Sequence, residues 1–107
     1  METKHGLNVI TLSDQLEGLL NRSLVESAAG MELQLEPGLQ QRFLQVLDQG
    51  LDYCQAEGFT KISLLCDPRI RLQLRRLIEK TFPHLPVLSY AEIASGFQVN
   101  PLVTLEV

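Results

Sequence analysis

Apolar residues in this chain recur alternately at the spacing of strands and at the spacing of helices. Leu7–Leu12 is a short β-branched run and Thr60–Cys66 is an apolar run bounded by turn residues, so both predict strands. Elsewhere apolar residues return every three or four positions, which predicts amphipathic helices. Strands that alternate with helices favour an α/β domain. We therefore predict one small α/β domain of order β-α-β-α-β-α-β-β, with a mixed sheet packed by helices.

Two helices are predicted in the first half of the chain. The first begins after Ser13, whose hydroxyl can cap it, and ends at Gly30. Its apolar positions are Leu16, Leu19, Leu20, Leu24 and Ala28. After a predicted strand at Met31–Leu35, the second helix begins at Pro37 and stops at Gly58. Gly50 lies on its apolar face and can let the helix backbone approach a sheet closely.

A third helix is predicted over residues 68–81. Asp67 supplies a capping carboxylate and Pro68 fits the first helical position. The predicted core face of this helix consists of Ile70, Leu74, Leu77, Ile78 and Thr81. The strand before it and the predicted strand Pro86–Ile93 should form a parallel crossover unit.

The last predicted strand is Phe97–Val107. It is expected to close the sheet antiparallel to Pro86–Ile93, through a turn at Ser95-Gly96. Pro101 cannot donate to a ladder, so it predicts an edge position or a break in this strand.

Length and composition agree with a single domain. The chain has 107 residues, of which 45% are hydrophobic and 21% are charged, and this excludes disordered classes. The longest apolar run, Ile62–Cys66, is far shorter than the roughly 20 residues of a membrane span. Residues 1–6 are predicted to be a cloning remnant or a disordered start, and residues 7–107 a single α/β subdomain.

The two cysteines are predicted to be buried structural thiols. Cys66 stands between a strand and a helix, a position that can lower the pKa of a thiol. A phosphatase-type loop needs an arginine six positions after the cysteine, and Leu72 occupies that position. Cys54 lies on the apolar face of the second helix, where free cysteine packs as a small hydrophobe. The alternative, a cysteine-dependent enzyme, would require Cys66 to be exposed.

Other catalytic or cofactor chemistry has little support in the sequence. Neither His5 nor His84 has a further ligand at metal-site spacing, and His84 stands in a proline-flanked loop. The sequence contains no glycine-rich phosphate loop and no nucleophile elbow. We therefore expect no enzyme activity, no metal and no cofactor.

Positive charge is concentrated in the third predicted helix. Between residues 69 and 80 the chain carries +4, which leaves −8 for the rest of a protein of net charge −4. The cations are Arg69, Arg71, Arg75, Arg76 and Lys80. Arg69, Arg76 and Lys80 fall on one side of the helix with Leu72 adjacent. These four residues are either a partner-binding surface with Leu72 as its apolar anchor, or a solvated face with one incidental exposed leucine.

Two kinds of partner suit such a helix. Nucleic acid is the alternative, bound by the basic helix 68–81, but the protein is acidic overall and no aromatic residue lies among the arginines. A partner helix rich in acidic residues matches better, because electrostatics would steer the encounter while Leu72 supplies buried contact.

The run from Cys66 to Ile93 resembles the C-terminal signature of the FHIPEP family, the export-gate proteins of bacterial type III secretion. In that signature a strand ends near an Asp-Pro pair, a helix carries an Arg-Arg pair, and a Leu-Ser-Tyr strand precedes an acidic residue. The matching positions are Asp67, Pro68, Arg75, Arg76, Leu88, Ser89, Tyr90, Glu92 and Ile93. The strand Val9–Leu12 and the helix opening Leu35–Leu39 fit the same pattern, so the resemblance spans about Leu7 to Val107.

This resemblance implies a C-terminal fragment of a larger membrane protein, at the cytoplasmic face of the bacterial inner membrane. It implies a nonameric ring that receives chaperone–substrate complexes and a stalk protein linked to the export ATPase. The expected partners are these secretion components and neighbouring export-gate subunits, and not nucleic acid. The short tail after the last strand favours the virulence (injectisome) type over the flagellar type.

Overall fold

Residues 6–93 and 98–107 are described by a computed structural model, and the α/β class is confirmed. The strands are β1 (Gly6–Leu12), β2 (Leu24–Ser27), β3 (Gly30–Leu33), β4 (Ile62–Cys66), β5 (Val87–Ser89) and β6 (Gln98–Leu105), and the helices are α1 (Asp14–Arg22), α2 (Pro37–Ala56) and α3 (Arg71–Ile78). Four strands form the main sheet in the order β5-β4-β1-β6, and β2 pairs with β3 in a separate two-stranded sheet. The element order is the predicted one with β2 added.

The main sheet is parallel throughout its described pairings, with β1 inside it. Asn8 lies opposite Ile62 of β4 and Asn100 of β6. Val9 and Ile10 point to opposite faces of the sheet, yet both side chains are fully buried. Burial on both faces is typical of a central parallel strand covered on each side.

The predicted antiparallel closure by the last two strands is wrong. β5 pairs with β4 at one edge of the sheet, whereas β6 pairs in parallel with β1 at the other edge. The predicted turn at Ser95-Gly96 lies outside the described residues. Pro101 does occupy an edge strand, as predicted, and the register with β1 shifts between Pro101 and Val103. This irregularity accommodates the missing N–H of proline.

The first helix is half as long as predicted. The Ser13 hydroxyl caps it as expected and accepts from the Leu16 N–H at 3.1 Å. The helix ends at Arg22, and the Ser23 hydroxyl donates to the Leu19 carbonyl at 2.8 Å. The residues predicted to continue the helix instead form β2, and Gly30, with φ +112°, begins β3 in a conformation that L side chains rarely adopt.

The second helix agrees with its prediction. Pro37 occupies its first turn, and Gly58 follows its end with φ +96°. Gly50 is buried, and a Cβ built there would lie 3.1 Å from the Leu105 side chain of β6. The missing side chain therefore lets α2 pack directly on the edge strand.

The third helix is shorter than predicted at both ends. Residues 68–70 form a turn, in which the Asp67 carboxylate accepts from the Arg69 N–H at 2.9 Å, and the helix begins at Arg71. The helix ends at Ile78, so Thr81 lies beyond it and is exposed, contrary to its predicted core position.

The rest of the predicted core face is largely confirmed. Ile70, Leu74 and Ile78 are fully buried, and Leu77 is partly buried. The predicted strand Pro86–Ile93 contracts to β5, which is followed by a 3-10 turn at Tyr90–Glu92.

Candidate interaction surface

Two of the five clustered cations contact other groups within the domain. The Arg75 guanidinium donates to the carbonyl oxygens of Leu85 at 2.7 Å and Pro83 at 3.2 Å. Arg71 pairs with Glu92 at 3.4 Å, beyond the end of β5. Both side chains thereby contact the segment around β5, although the Arg71–Glu92 pair is solvent-exposed and stabilises the fold little.

The other three cations and Leu72 form what we call the basic stripe: Arg69, Leu72, Arg76 and Lys80. All four residues are exposed, and Leu72 keeps 46% of its surface accessible. Within residues 6–93 and 98–107, the three cationic side chains make no hydrogen bond or ion pair. Arg69 and Lys80 lie in the turns that flank α3, so the stripe is longer than the helix itself.

The hairpin formed by β2 and β3 adds a second wall to this surface. β3 packs against α3, and Met31 keeps 41% of its surface exposed. An open groove runs between the two elements. It is lined by Ala29, Met31, Glu32, Leu33, Gln73, Arg76 and Leu77. Arg76 is the residue that the groove and the basic stripe share.

Sequence reasoning missed this wall because it assigned residues 24–28 to a helix. The alternation of Met31, Glu32 and Leu33 was a usable signal, since a half-buried strand needs a partner strand. The preceding run Leu24–Ser27 supplies that partner, with Glu26 opposite Met31.

The Leu-Ser-Tyr signature builds the carboxyl end of the sheet. Ser89 is buried, its N–H donates to the Glu92 carboxylate at 2.8 Å, and the two residues form a capping box. The Tyr90 hydroxyl lies 3.3 Å from the Glu17 carboxylate. Burial, together with the adjacent Glu17, raises the pKa of Tyr90 to about 12. In the described structure these residues therefore stabilise the fold.

Glu17 ties three segments together at this edge. Its carboxylate accepts from the Asp67 N–H at 2.6 Å, so α1 is joined to the end of β4 and, through Tyr90, to the end of β5. Burial raises the pKa of the Glu17 carboxyl above its ordinary 4.5, while the hydrogen bonds from Asp67 and Tyr90 oppose that shift. Nothing in the sequence had singled Glu17 out.

Both thiols are buried, as predicted. Burial, with the carboxylates of Glu17 and Asp67 adding to it, raises the pKa of Cys66 to about 12. Burial also raises the pKa of Cys54. The described ranges contain no group of three or more histidine, cysteine, aspartate or glutamate side chains placed to hold a metal ion, and His84 is exposed.

The sequence matches the FHIPEP family over residues 1–98. It is 29% identical over 101 residues to the flagellar biosynthesis protein FlhA of Bacillus subtilis and 33% identical over 101 residues to FlhA of Borreliella burgdorferi. It is also 31% identical over 102 residues to the low calcium response locus protein D of Yersinia pestis. These matches cover 94%, 94% and 92% of this chain. The chain spans only 15%, 14% and 14% of the lengths of these relatives.

Solved structures share the fold. The nonameric SctV-C of EPEC superposes with a TM-score of 0.81 at 24% identity, covering 94% of this chain and 29% of that one. The complex of the Chlamydia pneumoniae CdsV and CdsO proteins gives a TM-score of 0.78 at 24% identity, covering 96% and 30%. Among the described residues, no helix is both long enough and apolar enough to cross a membrane.

Proposed function

This chain belongs to the FHIPEP family of protein-export components, and from that membership we propose that it is an interaction subdomain of a type III secretion export gate. In this proposal the subdomain forms part of a nonameric ring at the cytoplasmic face of the inner membrane. The ring receives chaperone–substrate complexes and the stalk linked to the export ATPase. The subdomain contributes binding surface and has no catalytic role of its own.

Two solved structures that share the fold support a ring and a partner protein. SctV-C of EPEC is nonameric, and CdsV of Chlamydia pneumoniae forms a complex with the CdsO protein. The relatives in sequence include flagellar FlhA and the Yersinia low calcium response protein, so assignment to the virulence type stays a prediction.

The proposal rests on a difference among the five cations on and around α3. Arg71 and Arg75 are engaged within the domain, whereas three cations flank the exposed Leu72 without a partner among the described residues. Charged groups at the rim of an interface mainly set the association rate, and a desolvated apolar residue at its centre mainly sets dissociation. The basic stripe has this arrangement, and an acidic helix of the stalk protein is the partner we propose for it.

Stopped-flow binding to the purified stalk protein of the same system tests this role. Arg76→Glu is expected to slow association at low salt and to flatten its salt dependence, because it reverses a rim charge. Leu72→Ala is expected to speed dissociation about five- to thirtyfold, the range for loss of an interface anchor.

Lys61→Glu is the matched control, since Lys61 is exposed immediately before β4 and lies outside the stripe. It makes the same charge change and should leave both rates near those of the wild-type chain. Wild-type kinetics for both Arg76→Glu and Leu72→Ala would remove the stripe from the interface.

A further inference from the structure

We propose that the groove between the β2–β3 hairpin and α3 seats one amphipathic helix of a partner protein, a helix with acidic side chains beside an apolar ridge. This inference rests on the proposed function and extends it, since it adds the hairpin to the binding surface. It also fixes the arrangement of charges that the partner must carry.

The β2–β3 hairpin is suited to contact a partner protein. An isolated two-stranded hairpin is at best marginally stable in water, and this one packs against α3 outside the main sheet. Its Met31 side chain stands half exposed on the groove instead of completing the core. Methionine is unbranched and polarizable, so it adapts readily to an incoming apolar surface.

The groove offers apolar contact, and among its described lining residues one cation, Arg76, stands on the α3 side. Leu33 and Leu77 are partly buried at its base, and Met31 and Ala29 lie on the hairpin side. Glu32 also lines the groove, and the Ser27 hydroxyl donates to its carboxylate at 2.7 Å without removing its negative charge. The three cations of the basic stripe outnumber this single carboxylate along α3.

The spacing of the stripe specifies the partner. Arg69 and Arg76 are seven residues apart, and Arg76 and Lys80 are four apart. Arg69 and Lys80 lie in the turns that flank α3, so the row of three cations extends past both ends of the helix. A partner helix rises roughly 10 Å over seven residues, and carboxylates spaced seven and four residues apart on it would face this row. Leucines between those carboxylates would then face Met31 and Leu72.

A single helix fits this surface better than a membrane or a nucleic acid does. The chain outside residues 69–80 carries −8, so an extended anionic partner would also meet repulsive surface. A helix is only about 10–12 Å across. Charges beyond about 8 Å are largely screened at physiological salt, so a helix can contact the stripe and avoid most of the acidic body.

The test measures binding of a labelled synthetic helix by fluorescence anisotropy on the 107-residue chain. The peptide has about five helical turns, with glutamates spaced seven and four residues apart beside a ridge of leucines. A second peptide carries lysines in place of the glutamates. Anionic phosphatidylserine vesicles and transfer RNA are tested in parallel as competitors.

The decisive variant is Met31→Ser, which is expected to weaken binding of the acidic peptide about five- to thirtyfold. Tyr53→Ser is its control, because Tyr53 is 57% exposed but lies on α2 away from the groove. It should change affinity by less than about twofold, as exposed substitutions outside an interface do. Should Met31→Ser melt at a lower temperature, Gln73→Glu replaces it, since it adds a repulsive carboxylate to the groove.

Each outcome either supports the proposed groove or contradicts it. Tight binding of the acidic peptide, loss on Met31→Ser and no binding of the lysine peptide support the groove. Absence of peptide binding, equal binding by Met31→Ser, or displacement by vesicles or RNA at lower concentration overturns it. If the stalk protein binds and Arg76→Glu weakens it while Met31→Ser does not, the proposed function survives and the groove does not. If the stalk protein fails to bind while the acidic peptide behaves as expected, the groove survives and the proposed binding of the stalk protein does not.

Discussion

Among single residues, Glu17 makes the stability of the fold depend on pH. It lies at the carboxyl end of the sheet. The folded protein holds the Glu17 proton more tightly than the unfolded chain does, because burial raises the pKa of this carboxyl. Ionisation of Glu17 therefore lowers the free energy of unfolding. As pH rises, this loss of stability begins near 4.5, the ordinary pKa of the carboxyl. It is complete at pH values above the raised pKa of the folded state.

Glu17→Gln is expected to raise the urea midpoint at pH 7. Glutamine keeps an oxygen that can accept from the Asp67 N–H, and it carries no charge to desolvate. The gain should be under about 1 kcal/mol for a half-buried, solvent-screened group, and it should shrink towards pH 4, where the wild-type carboxyl is protonated. Glu79→Gln removes an exposed carboxylate as a control. A Glu17→Gln gain as large at pH 4 as at pH 7 would contradict this account.

The stability lost on leucine-to-alanine substitution distinguishes the core face of the helices from the exposed face. Leu47→Ala is expected to cost about 2–5 kcal/mol of stability, since Leu47 is fully buried. Leu77→Ala should cost less, about 1–2 kcal/mol, because Leu77 is partly buried. Leu72→Ala should stay within about 1 kcal/mol, the range for exposed positions. Urea denaturation measures all three, and a loss at Leu72 equal to that at Leu47 would place Leu72 in the core.

At the scale of elements, neighbouring arginines of α3 have opposite roles. Arg75→Ala is expected to cost about 1–3 kcal/mol, because it leaves the carbonyl of the buried Leu85 without its donor. Arg76→Ala should change stability by no more than about 0.5 kcal/mol, as exposed substitutions usually do. Thermal melts of the two variants make a matched comparison on one helix. Equal losses would show that the Arg75 hydrogen bonds contribute nothing to stability.

The elements themselves show what the sequence could predict. The alternation of strands and helices, the α2 boundaries and the buried face of α3 follow from local periodicity, which governs burial over one or two turns. The hairpin was missed because Leu24 and Ala28 also fit a helical spacing. The structure shows that α1 ends at Arg22, where Ser23 caps it and its hydroxyl donates to the Leu19 carbonyl. Pairing of β6 with β1 depends on residues more than 90 positions apart, which local patterns do not encode.

The same limit applies to the interaction surface. Arg69, Leu72, Arg76 and Lys80 were correctly placed on an exposed side, because a helical wheel depends on local geometry alone. The engagement of Arg75 by backbone oxygens, and the presence of Met31 beside α3, require the tertiary structure.

For the whole molecule, the uneven charge distribution argues against general binding of nucleic acid. The basic stripe groups three cations without partners in the described ranges, and the chain outside residues 69–80 carries −8. Three phosphate contacts would give a slope of log affinity against log salt of roughly −2.7 at most. Anisotropy with labelled DNA and RNA at two salt concentrations is expected to show weak binding. Tight binding with a steeper slope would favour the nucleic-acid alternative.

The position of β6 has a consequence for how the domain is made. Since β1 lies between β4 and β6, β1 keeps one hydrogen-bonding edge open until β6, more than 90 residues later, is in place. Such non-local pairing slows folding, and an open apolar edge in the meantime is a template for association with other chains. The nascent domain therefore cannot complete its sheet until the segment that carries β6 has been synthesised and has left the ribosome.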